Sequence, residues 1–109
     1  MTVVRVKKSD NKIVSVECDG HTGYGEEGED IVCAALSSIV QTAILGLLQV
    51  AKINVGYEIA DQNAYLKVTL PDGLSKTERH DADIILETMF LGIYDLNQGF
   101  SDFVELEVI

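Results

Sequence analysis

The apolar residues between Asp30 and Asn54 repeat every three or four positions, and this period constrains the fold more than any other feature of the sequence. Such spacing predicts one long amphipathic helix, which needs an apolar surface to pack against. The stripe comprises Val32, Leu36, Ile39, Ala43, Leu47 and Val50, and Val40, Ile44 and Ala51 widen it. Several polar residues interrupt the stretch, among them Ser37, Gln41 and Lys52, so we interpret it as a core helix and not as a membrane span.

Five shorter segments alternate apolar and polar residues, which is typical of strands with one buried face. Their apolar positions are Val4 and Val6; Val14, Val16 and Cys18; Val55, Tyr57 and Ile59; Ala64, Leu66, Val68 and Leu70; and Val104, Leu106 and Val108. Asp10 and Asn11 lie between the first two segments and tolerate positive φ, so a hairpin is expected there. Residues 61–63, Asp-Gln-Asn, predict a second hairpin.

A second helix is predicted between Ser75 and Gly99. Ser75 and Glu78 have the spacing of a capping box, and an apolar stripe follows them. The predicted element order is therefore ββαββαβ. We expect one α+β domain over residues 1–109, with a mostly antiparallel sheet and both helices on one face.

The composition excludes several classes of partner. A formal charge of -10 over 109 residues opposes binding to nucleic acid and to anionic lipid, so we expect neither a nucleic-acid nor a membrane partner. Two cysteines without a CxxC motif favour a reducing compartment, which we take to be the cytoplasm. The scattered cysteines and histidines match no zinc pattern, so we assign no metal and no cofactor.

Residues 20–37 hold the candidate chemistry: a predicted strand ends at His21, a glycine-rich acidic loop follows, and the long helix opens near Cys33. If Asp30 is the N-cap, Cys33 lies at position N3 of the helix. A helix N-terminus and a nearby histidine both lower the pKa of a thiol, and only the thiolate is a good nucleophile. The amides of the first turn would then be available to hold an oxyanion.

Each of these residues also has an ordinary structural interpretation. Cys33 falls at the helical spacing of Leu36 and Val40, where a cysteine serves as a small core side chain. His21 is equally compatible with an exposed loop position. Cys18 alternates with Val16 on the apolar face of a strand, so we expect it to be buried and inert.

The loop between His21 and Cys33 is a candidate lid over the site. Gly23, Gly25 and Gly28 permit sharp turns, and Tyr24 is positioned to cover a substrate or to pack the loop onto the sheet. Four acidic residues also lie in this region, which favours a basic substrate while opposing thiolate formation. They are Glu26, Glu27, Glu29 and Asp30.

This stretch resembles the ribosomal-processing cysteine protease family, Prp. The matching residues are Gly20-His21, Gly25, Gly28, the segment Asp30-Ile31-Val32-Cys33-Ala34, and Ser37 four positions after the cysteine. The length and the predicted element order are similar to those of the family across essentially the whole chain. Only residues 20–37 are specific to its motif.

The resemblance implies a cytoplasmic cysteine endopeptidase that is homodimeric. Cys33 would be the nucleophile and His21 the general base, with Asp30 and Ser37 in support. The implied reaction removes the N-terminal extension of the twenty-seventh large-subunit ribosomal protein, and the implied partner is that basic precursor. No cofactor is implied.

Two other functions remain compatible with the residues alone. One is a non-enzymatic acidic homodimer that binds a ribosomal protein or an assembly factor, with Cys33 packed and His21 incidental. The other is a different thiol enzyme, such as an acyltransferase or a redox sensor. The absence of a cysteine near Cys33 in the sequence argues against a disulfide cycle.

Overall fold

The computed structural model describes residues 2–20, 27–60 and 65–109, and for residues 27–30 it describes the backbone. The elements are β1 (Thr2–Ser9), β2 (Lys12–Asp19), α1 (Glu27–Leu45), a π-helical turn (Gly46–Val50), β3 (Gly56–Ala60), β4 (Tyr65–Thr69), α2 (Lys76–Gly99) and β5 (Val104–Val108). The predicted order ββαββαβ is confirmed. The predicted turn at residues 61–63 lies outside the described residues.

The five described strands form one sheet in the order β3-β4-β2-β1-β5. Three of its four pairings are antiparallel, and β1 with β5 is parallel. The sheet is therefore mixed and mostly antiparallel, as expected. Strand β2 is the central strand, with β4 on one side and β1 on the other, so the chain that continues from β2 to Gly20 leaves the middle of the sheet.

Local chemistry accounts for two of the connections. Asp10 and Asn11 have φ of 53° and 66°, the left-handed pair that a tight two-residue hairpin requires. The Ser75 hydroxyl accepts a hydrogen bond from the Glu78 amide, and the Glu78 carboxylate accepts one from the Ser75 amide. The predicted hairpin and the predicted capping box are both confirmed.

One face of the sheet carries the core. Val4, Val16 and Val68 are almost fully buried on adjacent strands, and Leu36 and Val40 of α1 pack into the same cluster as Leu86 and Ile93 of α2. The opposite face carries charge, and Arg5 on that face forms ion pairs with Glu17, Asp19 and Glu107. Both helices therefore cover the apolar face, as predicted.

Helix α1 departs from prediction at both ends. It begins at Glu27, so Asp30 is the fourth helical residue and the prediction that Asp30 caps the helix is wrong. Gly28, predicted to belong to a lid, lies within the helix as well. At the other end the helix closes before Asn54: Lys52 has φ 58°, and the Ile53 amide donates to the Leu47 carbonyl at 2.8 Å.

The segment Ile31–Val50 is long and apolar enough to cross a membrane, with a mean hydropathy of 2.2. Its apolar stripe nevertheless packs against the sheet, and Val32, Val40 and Leu47 are at most 1% exposed. A helix whose apolar side is already covered by protein is the central helix of a compact core. We therefore retain the interpretation as a core helix.

Candidate active site

A cavity of about 290 Å³ lies where α1 crosses the end of the sheet. All four strands from β1 to β4 and the residue after β2 contribute to its lining, together with one side of α1. The lining residues are Thr2, Cys18, Gly20, Cys33, Ala34, Leu36, Ser37, Gln41, Ile59, Ala60, Tyr65 and Leu66. Most of this lining is apolar, so the thiol of Cys33 lies beside a surface suited to an apolar side chain of a ligand.

Cys33 is the half-buried thiol of the cavity. With Glu27 as the first helical residue, Cys33 is the seventh, in the second turn of α1. The prediction that it occupies position N3 is therefore wrong, because the helix begins three residues earlier than the predicted cap. The first-turn amides belong to residues 27–30, one turn away from Cys33 along the helix. Because Cys33 is not in the first turn, the prediction that those amides stabilise its thiolate or bind an oxyanion is not supported.

The Cys33 sulfur lies 3.6 Å from the Thr2 hydroxyl oxygen. Thr2 is 4% exposed and is the one polar side chain in the buried set among the described residues. Its hydroxyl also donates to the Gly20 carbonyl at 3.2 Å. The first strand thus contacts both the helix that carries the thiol and the end of β2. The sequence analysis missed Thr2, because the residue reads as an ordinary strand position 31 residues from Cys33.

Cys18 lines the same cavity from the sheet, but it is 5% exposed. Burial raises the pKa of this thiol to about 12, and the neighbouring Glu17 carboxylate adds to the effect. Cys18 is therefore a neutral thiol throughout the physiological range. The prediction that it is a buried structural cysteine is confirmed.

Ser37 follows Cys33 by one helical turn and also lines the cavity. Its hydroxyl oxygen accepts a hydrogen bond of 2.7 Å from the side-chain amide of Gln41, one turn further along α1. Gln41 lines the cavity too and was not singled out from the sequence. The three side chains form a line of one thiol, one hydroxyl and one amide at i, i+4 and i+8.

Gly20 brings the chain from β2 to the cavity. Its φ is 107°, a conformation that a residue with a Cβ rarely adopts, and it lines the cavity beside Thr2. His21 follows it directly in the sequence. His21 and the predicted lid residues Gly23, Tyr24 and Gly25 lie outside the described residues, so their predicted roles stay predictions.

The Glu17 carboxylate on β2 is hydrogen-bonded to side chains of both neighbouring strands, β4 and β1. It accepts hydrogen bonds from the Tyr65 hydroxyl at 2.6 Å and from the Arg5 guanidinium at 2.9 Å. These donors, Tyr65 first, hold the pKa of Glu17 below its usual value. The same hydrogen bond raises the pKa of Tyr65 to about 12. The carboxylate therefore stays ionised and the phenol stays neutral, which fixes β4 against β2 at the cavity wall.

Among residues 2–20, 31–60 and 65–109, whose side chains the structure describes, no three His, Cys, Asp or Glu side chains are grouped as metal ligands would be. His80, the histidine on α2, is highly exposed and lies 3.3 Å from the Asp81 carboxylate. That position fits the solvated surface of a helix, and His80 is not among the residues that line the cavity. The chemistry of the described site is therefore that of the Cys33 thiol.

A thiol on a helix, beside an apolar cleft and close to a strand that precedes a histidine in the sequence, is an arrangement that a thiol-dependent hydrolase can use. The sequence comparison identifies the member of this class. The profile of the family described as Cysteine protease Prp matches residues 1–105, so the chain belongs to that family and is a cysteine protease.

Individual relatives agree with this assignment. The ribosomal processing cysteine protease Prp of Bacillus subtilis is 25% identical over 103 residues, which cover 94% of this chain and 92% of that protein. The protein of the same name from Staphylococcus aureus is 28% identical over 109 residues, covering 97% and 96%. The similarity thus extends over nearly the full length of both relatives.

Solved structures share the fold. The crystal structure of SMU.848 from Streptococcus mutans has a TM-score of 0.89 at 27% identity, covering 100% of this chain and 94% of that chain. The essential ribosomal processing protease Prp from S. aureus, crystallised with a substrate peptide, has a TM-score of 0.88 at 24% identity, covering 100% of both chains. The latter comparison supports the mixed five-stranded fold.

Proposed function

We propose that this chain is a cytoplasmic endopeptidase that removes an N-terminal extension from the twenty-seventh large-subunit ribosomal protein. Cys33 is the nucleophile and His21 the general base. The observation that carries the proposal is the half-buried Cys33 thiol on the wall of an apolar cavity that Gly20, the residue before His21, also lines. The names of the relatives support a ribosomal-protein substrate.

The proposed reaction follows the chemistry of a Cys-His dyad. The imidazole of His21 takes the proton from Cys33, and the thiolate attacks the carbonyl carbon of the scissile peptide bond. The tetrahedral intermediate collapses when the imidazolium returns that proton to the leaving amine. A water molecule, deprotonated by the same imidazole, then hydrolyses the thioester, which releases the acid product and restores the thiol.

The cavity supplies the substrate-binding surface in this proposal. Ile59, Leu66 and Leu36 present apolar surface within the same cavity as Cys33. Burial of an apolar substrate side chain in this cavity would stabilise the complex, because apolar surface leaves water. The bound side chain would hold the scissile bond next to the Cys33 thiol. Ser37 and Gln41 supply hydrogen-bonding groups on α1, and the segment with Gly23, Tyr24 and Gly25 closes over the peptide as a lid.

The charge of the chain fits the proposed partner. Ribosomal proteins are basic, and a formal charge of -10 favours fast encounter with a basic chain. Asp30 supports the reaction from the first turn of α1. The enzyme acts as a homodimer and needs no cofactor.

The direct test is mass spectrometry of the extended ribosomal protein after incubation with wild-type enzyme, Cys33→Ala, His21→Ala and Cys18→Ala. We expect one discrete cut with wild type and with Cys18→Ala, the matched control for loss of a thiol. Cys33→Ala and His21→Ala should each lose at least about 1000-fold in rate, the scale expected when a member of a nucleophile-base pair is removed.

Each alternative gives a different pattern. Cleavage retained by His21→Ala would overturn the dyad while leaving Cys33 as nucleophile. Binding of the extended protein without any cut would overturn the substrate assignment and would support the acidic binding module. A cut that Cys33→Ala still makes would place the active centre elsewhere.

A further inference from the structure

We propose that Thr2 is a positioning residue whose hydroxyl couples the protonation state of Cys33 to the backbone carbonyl of Gly20, the residue that precedes His21. The proposal deepens the proposed function, because it assigns Cys33 as the nucleophile and His21 as the base. It concerns a residue on the first strand, outside the segment of residues 20–37.

The first step of the argument is the burial of the Thr2 hydroxyl. Thr2 is 4% exposed on a strand whose other inward positions are Val4 and Val6. A hydroxyl in such a place costs free energy unless it is hydrogen-bonded, and valine has nearly the same shape without that cost. The buried Thr2 hydroxyl therefore needs hydrogen-bond partners. It has two: the Gly20 carbonyl at 3.2 Å and the Cys33 sulfur at 3.6 Å.

The second step is a count of protons. A hydroxyl has one proton to donate, and a carbonyl oxygen accepts only. When the hydroxyl donates to Gly20, its oxygen faces the sulfur as an acceptor, which suits the S–H of a neutral thiol. A thiolate has no proton to donate and repels the oxygen lone pairs. The hydroxyl therefore turns its proton to the sulfur when Cys33 ionises, and the Gly20 carbonyl loses that donor.

The third step is energetic. A hydrogen bond to a charged group is stronger than one to a neutral carbonyl, so the rotation favours the thiolate over the neutral thiol. It also releases the carbonyl next to His21 at the moment when the imidazole has received the proton from Cys33.

The titration of Cys33 can be measured without interference from the other titratable side chains that are described in the cavity lining. Among the described residues that line the cavity, the other titratable side chains are Cys18 and Tyr65. Burial raises the pKa of Cys18 to about 12, and the Glu17 hydrogen bond raises that of Tyr65 to about 12, so neither changes charge between pH 5 and about pH 9. Glu27, Glu29 and Asp30 precede Cys33 on α1, and His21 follows Gly20; all four are the same in every Thr2 variant.

The experiment is the pH dependence of Cys33 alkylation by iodoacetamide in wild type, Thr2→Val and Thr2→Ser, read by mass spectrometry. Thr2→Val should move the midpoint upward by about one pH unit, which slows labelling at neutral pH up to about tenfold. Thr2→Ser retains the hydroxyl and should restore the wild-type profile. A Thr2→Val profile that coincides with wild type would overturn the proposal and leave Thr2 with a purely structural role.

A second measurement leaves Thr2 unchanged and so does not depend on the folding of a variant at that position. In His21→Ala protein, the ¹³C signal of the Gly20 carbonyl should titrate with the same midpoint as Cys33 alkylation, and His21→Ala/Cys33→Ala should abolish this titration. A Gly20 signal that stays constant through the thiol titration would refute the coupling. Neither measurement uses a substrate, so failure of the ribosomal-protein assignment is distinguishable from failure of this one.

Discussion

Cys18 and Cys33 line one cavity, Cys18 from the second strand and Cys33 from the first helix, yet burial separates their chemistry. Cys18 is 5% exposed and its pKa is raised to about 12, three units above the ordinary value of 9.0. Cys33 is half-buried on the wall that a ligand would meet. Cys18 is therefore part of the packed core, whereas the Cys33 thiol faces the cavity.

This contrast predicts selective alkylation. At pH 7.5 the thiolate fraction of Cys18 is about 1000-fold below that of an ordinary thiol, and burial restricts access further. We expect iodoacetamide to label Cys33 more than about 100-fold faster than Cys18 in the folded protein. Peptide mapping by mass spectrometry measures both rates, with urea-unfolded protein as the control in which both label. Equal native rates would contradict the burial argument.

Ser37→Ala should reduce kcat/KM for the extended ribosomal protein by no more than about tenfold. The Ser37 hydroxyl is engaged by Gln41 at 2.7 Å, so its removal costs one exposed hydrogen bond at the cavity wall. Ser38→Ala is the matched control, because Ser38 lies on the neighbouring position of α1 and does not line this cavity. A loss as large as that of Cys33→Ala would instead make Ser37 a catalytic residue.

The acidic charge predicts salt-sensitive catalysis. Raising the ionic strength from about 20 mM to about 300 mM should lower kcat/KM for a basic substrate several-fold, because screening removes long-range attraction. A peptide with the same cleavage sequence and neutralised flanking charges should be much less affected. Equal salt responses of the two substrates would refute electrostatic steering by the -10 chain.

Asp83 should stabilise the fold at neutral pH and lose this effect in acid. Burial disfavours its carboxylate, but hydrogen bonds from Arg79 and Lys12 outweigh burial and hold the pKa of Asp83 below 3.8. Since the folded-state pKa is the lower one, the contribution is present above about pH 4 and disappears as the pH falls through the folded-state value.

Asp83→Asn should accordingly lower the free energy of unfolding by about 0.5–1 kcal/mol at pH 7, the range for a partly exposed ion pair. The difference from wild type should shrink as the pH falls below 4 and the carboxylate of the folded protein is protonated. Urea unfolding monitored by circular dichroism measures both, and Asp95→Asn at an exposed position of α2 is the control. A pH-independent difference would show that packing, and not charge, is the source.

The sequence predicted those parts of the fold that local chemistry decides. The hairpin at Asp10 and Asn11 and the capping box of Ser75 and Glu78 depend on neighbours within a few residues, and both were found from residue type and spacing. The parallel pairing of β1 with β5 joins residues about one hundred positions apart. No local pattern encodes such a pairing, so the sequence indicated five strands without their order in the sheet.

The candidate site likewise combines features that local sequence predicts with contacts that only the tertiary fold creates. Cys33 was predicted from its place near a helix start and from the resemblance to the Prp motif, and Ser37 from its position four residues further on in that motif. The start of the helix was misplaced, since Asp30 is a favourable cap by residue type but the helical backbone begins at Glu27. Thr2 and Gln41 were missed because only tertiary packing brings the first strand to the thiol, and a glutamine on a helix is ordinarily solvated.

The parallel strand at the edge of the sheet also helps to position Thr2. The Thr2 amide donates to the Phe103 carbonyl at 3.0 Å, and Thr2 pairs with Val104 of β5. Of the described elements, β5 is the last to be synthesised, while the residue it secures is the one whose hydroxyl contacts Cys33. The pairing that holds Thr2 beside Cys33 is therefore supplied by the last described strand, which ties one wall of the cavity to a segment about one hundred positions away in the sequence.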